Sequence, residues 1–289
     1  MKAWLRALRP HQWVKNVLIV MPLLLAHELS WDKWQAVFLA FLAFCMAASG
    51  NYLINDVLDR ENDARHPEKR HRPIASGVIG AGTAMIVGVL LILSAFLIAA
   101  SLRLSLVLAL LCYVLLALAY SLRLKKMALV DVFTLATLYT LRIIAGSVAA
   151  AVLLSPWLMA FSIFLFLSLG LVKRSSELGS MAASGTATDV PGRGYRVDDL
   201  PMLQVLGVAA GFAAVMVMSL YITDPNSIGM YSKSDWLWGI VGVLLFWISR
   251  VWLVTHRGGM HHDPIVFALR DVPSLCAGLL CLVVAVAAL

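Results

Sequence analysis

Long apolar stretches alternate with short polar connections along almost the whole chain. A helix needs about 20 mostly apolar residues to cross the hydrocarbon layer of a bilayer, and nine segments of the sequence are long and apolar enough. Their approximate bounds are 13–29, 34–56, 81–102, 104–121, 128–152, 157–178, 200–222, 235–256 and 270–289. The longest polar connection, 173–199, leaves no room for an extended soluble domain. The pattern therefore predicts an all-α, polytopic membrane protein in which residues 1–289 form a single transmembrane catalytic domain.

Composition supports the membrane assignment. Of the 289 residues, 61% are hydrophobic and 13% are charged, whereas a soluble domain has about half apolar and about a quarter charged residues. The basic residues before the first apolar stretch are not followed by a small-residue cleavage site, so we expect a retained first helix and not a signal peptide. The four cysteines lie in apolar runs without a CxxC pair, which favours small buried residues over disulfides or a zinc site.

The distribution of lysine and arginine predicts the orientation in the membrane. With the N-terminus in the cytoplasm, the outer face carries only Lys33, Arg103 and Lys233, and nearly all other cations fall in cytoplasmic connections. Short cytoplasmic loops of membrane proteins collect positive residues, so we expect a cytoplasmic N-terminus and an external C-terminus. The same rule accounts for the net charge of +7 without a nucleic-acid partner.

The stretch 51–77, NYLINDVLDRENDARHPEKRHRPIASG, carries the candidate chemistry. At about 100° per residue, four polar side chains fall within an arc of roughly 100° on one helix face. They are Asn55, Asp56, Asp59 and Asp63. Carboxylates this close repel one another unless a cation shares their charge, and oxygen ligands suit Mg²⁺, which often bridges carboxylates to a phosphate. The three aspartates are therefore the candidate catalytic residues and Mg²⁺ ligands, and the alternative is a helix end that exposes its acids to water.

Other polar residues lie at the same predicted membrane face or within the spans. Lys69 and Arg72 follow the aspartates and can bind phosphate. Arg142 falls near the middle of the fifth segment, where a charge usually faces a cavity or a partner. Asp131 is about 16 Å away along the same helix, so Arg142 needs a partner from another helix. A structural ion pair and a functional contact are the two alternatives.

The polar residues of the later segments leave alternatives open. Lys173 and Glu177 stand four residues apart and either pair with each other or, with Arg174, face a substrate phosphate, a metal or a sugar. Tyr195 can close over a pocket.

The loop HRGGMHHDPIVFALRD (256–271) has a further polar cluster. A metal cluster of His256, His261, His262 and Asp263 is conceivable from composition, but these residues lack the spacing of a tetrahedral zinc site. Asp271 is either part of a polar pocket or only a cap of the last helix. The chain has no P-loop, GxGxxG, GxSxG or HExxH motif.

NDxxDxxxD at the end of the second predicted span, followed by HPEKRHRPIASG, resembles the UbiA superfamily of intramembrane prenyltransferases over nearly the whole chain. Within it the chain is more similar to the polyprenyl-phosphate phosphoribosyltransferase branch, of the decaprenyl-phosphate type. The passages concerned are RPHQWVKNVL (9–18), YLINDVLDRENDARHPEKRHRPIASG (52–77), YSLRLKKMALVDVF (120–133), LRIIAGSVA (141–149), LVKRSSEL (171–178) and DPIVFALRD (263–271). Ordinary members typically carry a second aspartate-rich motif, near DxxxD, whereas this chain has KRSSE with the single acid Glu177. That departure argues against ordinary prenyl-diphosphate chemistry.

The resemblance implies a UbiA-like fold of nine transmembrane helices around a polar cavity that faces the cytoplasm, in the bacterial inner (plasma) membrane. It implies transfer of 5-phosphoribose from phosphoribosyl diphosphate (PRPP) to a polyprenyl phosphate, with Mg²⁺ held by Asp56, Asp59 and Asp63. The product would be a lipid precursor of cell-envelope sugars, and no catalytic His or Cys is expected. Candidate phosphate or sugar contacts are Lys15, Asn16, Asn55, Lys69, Arg72, Tyr120, Lys125, Lys126, Arg142, Lys173, Arg174, Glu177 and Tyr195. Whether the chain forms a homo-oligomer stays open.

Two other functions compete with this one. An aromatic prenyltransferase of the same fold would move an isoprenoid from its diphosphate to a quinone precursor or another ring, and it predicts a second metal site. A transporter would suit the charge within a span, but transporters often show repeated halves with broken helices at the membrane midplane. The sequence shows no internal repeat, and its acids gather at one membrane face.

Overall fold

The computed structural model describes residues 2–65, 69–184, 194–225, 229–260 and 263–289. Its α-helices are α1 Lys2–Leu8, α2 Met21–Leu25, α3 Trp31–Leu58, α4 Arg60–Arg65, α5 Ala81–Leu102, α6 Leu104–Leu122, α7 Val130–Ala150, α8 Pro156–Ser184, α9 Leu200–Thr223, α10 Trp238–His256, α11 Pro264–Ala268 and α12 Val272–Ala288. The 3-10 helices are Pro10–Ile19, Lys69–His71, Leu124–Lys126, Val197–Asp199 and Ser234–Leu237. The described part of the chain contains no β-strand, so the predicted all-α class is confirmed.

Seven helices of the described ranges are long and apolar enough to cross a membrane, judged by length and composition. They are Trp31–Leu58, Ala81–Leu102, Leu104–Leu122, Val130–Ala150, Pro156–Ala183, Val197–Thr223 and Ser234–His256. They coincide with the second to eighth predicted segments, and a helix satisfies its own backbone in lipid, which supports a multi-pass membrane protein. The last predicted segment forms α12, an apolar helix of 17 residues. The count of nine crossings stays a prediction.

The first predicted segment, 13–29, is not one continuous α-helix, so that expectation is wrong. Pro10–Ile19 is a 3-10 helix, and α2 then begins with Pro22 in its first turn. Proline has no N–H to donate to a continuing helix, so Pro22 suits the start of a new one. A Cβ atom on Gly146 of α7 would lie 1.9 Å from the carbonyl oxygen of Ile19. Only glycine admits this backbone contact, which seats the 3-10 helix against α7.

The chain divides into two compact units. The first comprises Met1–Arg123 and Leu138–Leu154, and the second comprises Leu124–Thr137 and Ser155–Leu289. In the first unit, α3 packs along α5, and the core surrounds Phe44, Leu106 and Leu110. In the second unit, α8 packs along α9.

A buried polar contact joins three helices of the second unit. The indole N–H of Trp252 in α10 donates to Oγ of Ser168 in α8 at 3.1 Å. That hydroxyl in turn donates to the carbonyl oxygen of Gly207 in α9 at 2.7 Å. A Cβ atom on Gly207 would lie 2.1 Å from the Trp252 ring. Small residues and hydroxyl groups thus allow close helix packing, as in other membrane proteins.

Candidate active site

The acidic motif spans a break between two helices. α3 ends at Leu58, Asp59 has φ −88° and ψ 4°, and α4 begins at Arg60. The prediction that the motif from Asn55 to Asp63 shares one continuous helix face is therefore wrong at its last turn. The N–H of Asp63 still donates to the carbonyl oxygen of Asp59 at 2.8 Å, so the chain stays close to a helical path.

Asp56 and Asp63 nevertheless converge on one cation. Nη1 of Arg72 lies 3.2 Å from Oδ1 of Asp56 and 2.6 Å from Oδ2 of Asp63. Both carboxylates are buried, with 3% and 6% of their side chains exposed. Because like charges in a buried site repel, the guanidinium group of Arg72, which contacts both carboxylates, offsets their repulsion. The predicted convergence is confirmed for these two residues, while Asp59 is half-buried at the end of α3.

Arg9 joins this site, although its sequence context suggested only a cytoplasmic cation. Its Nη2 donates to both carboxylate oxygens of Asp56, at 2.7 and 2.9 Å. Its guanidinium carbon lies 4.9 Å from the centroid of the Tyr52 ring. The backbone of Arg9 is left-handed, with φ 52° and ψ 54°, which is uncommon for a residue with a Cβ and recurs at functional sites. The sequence signal for Arg9 was the RPHQWVKN passage, which begins at this residue.

We call Arg9, Asp56, Asp63 and Arg72 the Asp56 cluster. Its two carboxylates and two guanidinium groups are formally neutral together. The carboxylate oxygens are donors that fit Mg²⁺, but a metal ion at Asp56 has to displace a guanidinium group, since both arginines bond to that residue. The side chains of Arg9 and Arg72 are 22% and 30% exposed, so both can leave the carboxylates and bind an anionic substrate. Among the described residues no three His, Cys, Asp or Glu side chains are grouped as a metal site, and the metal role of the aspartates stays a prediction.

Asn51 lies one turn before Asn55 on α3, toward the middle of the helix. Its side chain is buried, and neither amide atom has a hydrogen-bond partner in the described ranges. A buried polar group without a partner costs about 1–3 kcal/mol. The Asn51 amide is therefore a donor and acceptor that a bound molecule can satisfy.

Arg142 lies in the part of α7 that belongs to the first unit, and it is buried. Its Nε donates to Oδ1 of Asn16 at 2.8 Å, and its Nη2 donates to the hydroxyl of Tyr113 at 3.1 Å. Its guanidinium carbon lies 4.8 Å from the Tyr113 ring and 5.4 Å from the Tyr139 ring. The predicted partner from another helix is confirmed, because Tyr113 lies in α6. Arg142 forms no ion pair with a described carboxylate, so the structural ion pair is not what holds it.

The second unit has its own buried charged cluster. Nε of Arg174 lies 2.6 Å from Oδ2 of Asp131, with 1% and 0% of the side chains exposed. Arg174 also pairs with Glu177, and the hydroxyl of Tyr195 donates to Asp131. The N–H of Leu129 donates to the same hydroxyl at 2.8 Å. Burial, followed by the neighbouring Asp131 carboxylate, raises the pKa of Tyr195 above its usual range, so the phenol stays a neutral donor.

This second cluster changes the interpretation of three predicted contacts. Arg174 pairs with both Asp131 and Glu177, and Tyr195 bonds to Asp131. The Glu177 side chain is still 39% exposed, and the substrate roles of these three residues stay predictions. Glu177 pairs with Arg174 and not, as the spacing suggested, with Lys173, whose Nζ lies 3.7 Å from Oδ2 of Asp263.

Asp271 acts as a cap, as one of the two sequence alternatives had it. It accepts a hydrogen bond from the N–H of Ser274 at 2.9 Å at the start of α12. Arg250 of α10 bonds to both of its carboxylate oxygens, at 2.6 and 2.9 Å. The contact fastens the start of α12 to α10.

The remaining predicted residues differ in their exposure. Lys69 and Lys126 are exposed, in 3-10 helices. Half-buried members of the predicted set are Lys15, Asn55, Tyr120 and Lys125. His261 and His262, of the zinc alternative, lie outside the described residues.

Comparison with known proteins supplies the family. The sequence model of the UbiA prenyltransferase family matches residues 16–260. The chain is 39% identical to the uncharacterised protein y4nM of Sinorhizobium fredii, over 96% of this chain and 54% of the relative. It is 36% identical to the nodulation protein NoeC of Azorhizobium caulinodans, over 93% of this chain and 87% of the relative. It is 34% identical to the decaprenyl-phosphate phosphoribosyltransferase of Mycobacterium tuberculosis, over 92% of this chain and 87% of the relative. The chain thus spans about half the length of the first of these relatives.

A solved structure shows the same fold. The structure of a UbiA homologue from Archaeoglobus fulgidus bound to GPP and Mg²⁺ aligns with a TM-score of 0.70 at 16% identity, over 98% of this chain and 96% of that one. At this identity the likeness concerns the fold alone. Together with the family match over most of the sequence, it leads to one conclusion: the chain belongs to the UbiA prenyltransferase family of membrane transferases.

Proposed function

We propose that the protein transfers 5-phosphoribose from phosphoribosyl diphosphate to a polyprenyl phosphate in a Mg²⁺-dependent reaction. The observation that carries the proposal is the Asp56 cluster, which places buried carboxylates and partly exposed guanidinium groups together. Carboxylates serve a divalent cation, and guanidinium groups bind phosphate oxygens in pairs. The similarity to a decaprenyl-phosphate phosphoribosyltransferase supports the choice of donor and acceptor.

The acidic and basic residues of the Asp56 cluster would have different roles in binding the donor. Asp56 and Asp63, with Asp59, would hold Mg²⁺, which when bound neutralises charge on the departing diphosphate, a large contribution in transfers of this kind. Arg9 and Arg72, released from the carboxylates by the metal, would bind the phosphate oxygens. The donor would thus replace the ion pairs that now close the site.

The acceptor needs no strong general base. A lipid phosphate is already an anion near neutral pH, so one of its oxygens can form the bond to ribose C1 as the bond from C1 to the diphosphate oxygen breaks. The diphosphate leaves with the electron pair. Catalysis then depends on position and charge.

The other predicted contacts keep their proposed roles, with one revision. Additional phosphate or sugar contacts are proposed for Lys15, Asn16, Asn55, Lys69, Tyr120, Lys125, Lys126, Arg142 and Lys173. Arg174, Glu177 and Tyr195 would instead act as positioning residues, because their polar groups are held within the second unit. We further propose nine crossings of the bacterial inner membrane, with the N-terminus and the Asp56 cluster on the cytoplasmic side.

The test is a transfer assay with purified protein in detergent. Labelled phosphoribosyl diphosphate and undecaprenyl phosphate are incubated with Mg²⁺, and label is measured in the lipid phase. We expect transfer that EDTA abolishes and that Asp56→Asn lowers by at least about a hundredfold, since oxyanion-type charge stabilisation contributes that much or more. The matched control is Asp235→Asn, at an exposed acid of the second unit, which should keep wild-type rates. Full activity in a folded Asp56→Asn variant would remove the metal assignment.

The second candidate is prenyl transfer to an aromatic ring. The family description supports the prenyl transfer and leaves the acceptor open. It shares the Asp56 cluster but requires a prenyl diphosphate donor. In the second unit the corresponding KRSSE segment offers Glu177, already paired with Arg174. Turnover of geranyl diphosphate with an aromatic acid, without phosphoribosyl transfer, would establish this candidate instead.

A further inference from the structure

We propose that Arg142 and Lys15, with the Tyr113 and Tyr139 rings, form the subsite that binds the phosphate group of the lipid acceptor. The inference rests on the proposed function, because it names which substrate these residues bind. It separates the acceptor phosphate from the donor diphosphate, which belongs to the Asp56 cluster.

Arg142 carries a buried charge. The side chain is buried at a residue exposure of 6%, on a helix apolar enough to cross a membrane. Its hydrogen-bond partners are an amide, a phenol and the carbonyl oxygen of Leu138 at 2.5 Å, all of them neutral. A charge within a membrane span is costly, pairs with another charge or with a backbone carbonyl, and often marks a substrate pathway. No described carboxylate pairs with Arg142, so a bound anion would supply the opposite charge that its neutral partners do not.

Arg142 has N–H donors that its present hydrogen bonds do not use. A guanidinium group has five N–H bonds, and Arg142 uses one on each of its three nitrogens. One N–H therefore remains on each terminal nitrogen. Guanidinium N–H groups form strong, charge-assisted hydrogen bonds with phosphate oxygens. The same group can thus keep its present contacts and bind an anion as well.

A second cation, Lys15, lies against the same aromatic surface as Arg142. Nζ of Lys15 lies 5.7 Å from the centroid of the Tyr139 ring, and the guanidinium carbon of Arg142 lies 5.4 Å from it. The two positive charges therefore lie within about 11 Å of each other, where they repel by about 1.5 kcal/mol at an effective dielectric constant near 20. An anion bound by both cations would offset that repulsion.

The two clusters of the first unit differ in the anion that they suit. A diphosphate that arrives with Mg²⁺ needs carboxylates for the metal, and the Asp56 cluster has them. A lipid monophosphate arrives without a metal and needs cations alone. The tyrosine rings offer apolar walls that still favour a cation. This division points to the lipid phosphate as the ligand of Arg142.

The test supplies the missing counter-charge from within the protein. Asn16→Asp places a carboxylate where Oδ1 of Asn16 now accepts from Arg142 at 2.8 Å. The two readouts are the KM values for undecaprenyl phosphate and for phosphoribosyl diphosphate, and the shift in thermal midpoint on adding undecaprenyl phosphate without donor or Mg²⁺. Undecaprenol is the uncharged comparison lipid, and inorganic phosphate tests whether a free anion suffices.

We expect undecaprenyl phosphate, but not undecaprenol or inorganic phosphate, to stabilise the wild type. Asn16→Asp should lose that shift, and its KM for the lipid should rise about 10- to 100-fold, the effect expected for a hydrogen bond between charged groups. The donor KM should stay unchanged. The matched control is Cys45→Ala, because Asn16 Nδ2 now donates to Cys45 Sγ at 3.2 Å and Asn16→Asp loses that contact too.

Several outcomes would overturn the subsite. Unchanged lipid binding in Asn16→Asp would make the Arg142 contacts purely structural, and a rise in donor KM alone would assign the site to the donor. Stabilisation by inorganic phosphate alone would mean a free-anion site. If Asn16→Asp does not fold, Lys15→Gln, at a half-buried position, must raise the lipid KM or the proposal fails. Lipid phosphate binding without any transfer would refute the proposed function and leave the subsite standing.

Discussion

The bridging cation of the Asp56 cluster allows a test that joins stability to metal binding. Arg72→Gln removes the guanidinium group that bonds to both Asp56 and Asp63 and keeps a polar side chain of similar length. Without it, two buried carboxylates face each other with only Arg9 left on one of them. The variant should therefore be less stable than the wild type, and a divalent cation should restore part of the loss.

The size of the effect follows from the geometry. Both carboxylate oxygens bond to the same nitrogen, at 3.2 and 2.6 Å, so they lie within about 6 Å of each other. Two unit charges at that separation repel by about 3 kcal/mol at an effective dielectric constant near 20. Removal of one partner from a buried ion pair typically costs about 3–5 kcal/mol. We therefore expect Arg72→Gln to lower the free energy of unfolding by about 3 kcal/mol.

The assay is thermal unfolding in detergent, with Mg²⁺ and with EDTA. Arg72→Gln should unfold several degrees below the wild type in EDTA, and Mg²⁺ should raise its midpoint more than that of the wild type. The control is Arg70→Gln, which removes an exposed cation from the 3-10 helix Lys69–His71, directly before Arg72. Equal midpoints for Arg72→Gln and wild type in EDTA, with no response to Mg²⁺, would refute the assignment of the carboxylate pair as a cation site.

Two predictions concern the scaffold. Gly146→Ala should destabilise the protein by at least about 1–3 kcal/mol, because the added Cβ would clash with the Ile19 carbonyl oxygen. The control is Gly242→Ala, since a Cβ at Gly242 has no atom within 4 Å. Equal melting temperatures of the two variants would contradict the close contact. Burial alone would raise the pKa of Asp271, but hydrogen bonds from Arg250 and from the first turn of α12 lower it below its usual value. The Asp271 carboxylate therefore stabilises the fold above about pH 4, and this contribution is lost as the pH falls through the lowered pKa. In a plot of melting temperature against pH, Asp271→Asn should reduce the fall at acid pH. An unchanged fall at acid pH would count against this role.

The sequence predicts those features that depend on local pattern. Apolar length alone identifies the helices from Trp31 to His256, because a membrane leaves a helix few alternatives. The spacing of the acidic residues predicts that the Asp56 and Asp63 side chains lie close together. In the structure both contact Arg72, and they do not share one continuous helix face. The charge within α7 predicts a partner from elsewhere in the chain, which Tyr113 provides.

Features that depend on tertiary contacts do not follow from the sequence. Arg9 reaches Asp56 only because its left-handed backbone ends α1 and begins the 3-10 helix. The sequence predicts Arg174 and Glu177 as substrate contacts at a helix end, but it does not indicate that Arg174 pairs with Asp131 of another helix. No local sequence pattern predicts which distant carboxylate pairs with a given cation. These ion pairs are therefore visible only in the structure.

The identity of the donor is the central claim, and one competition experiment tests it most directly. Purified protein in detergent receives Mg²⁺, undecaprenyl phosphate, phosphoribosyl diphosphate, geranyl diphosphate and 4-hydroxybenzoate together, and the products are identified by mass spectrometry. Our account predicts undecaprenyl-phosphoryl-phosphoribose and inorganic diphosphate, with no prenylated ring. A prenylated ring without the phosphoribosyl lipid would contradict it.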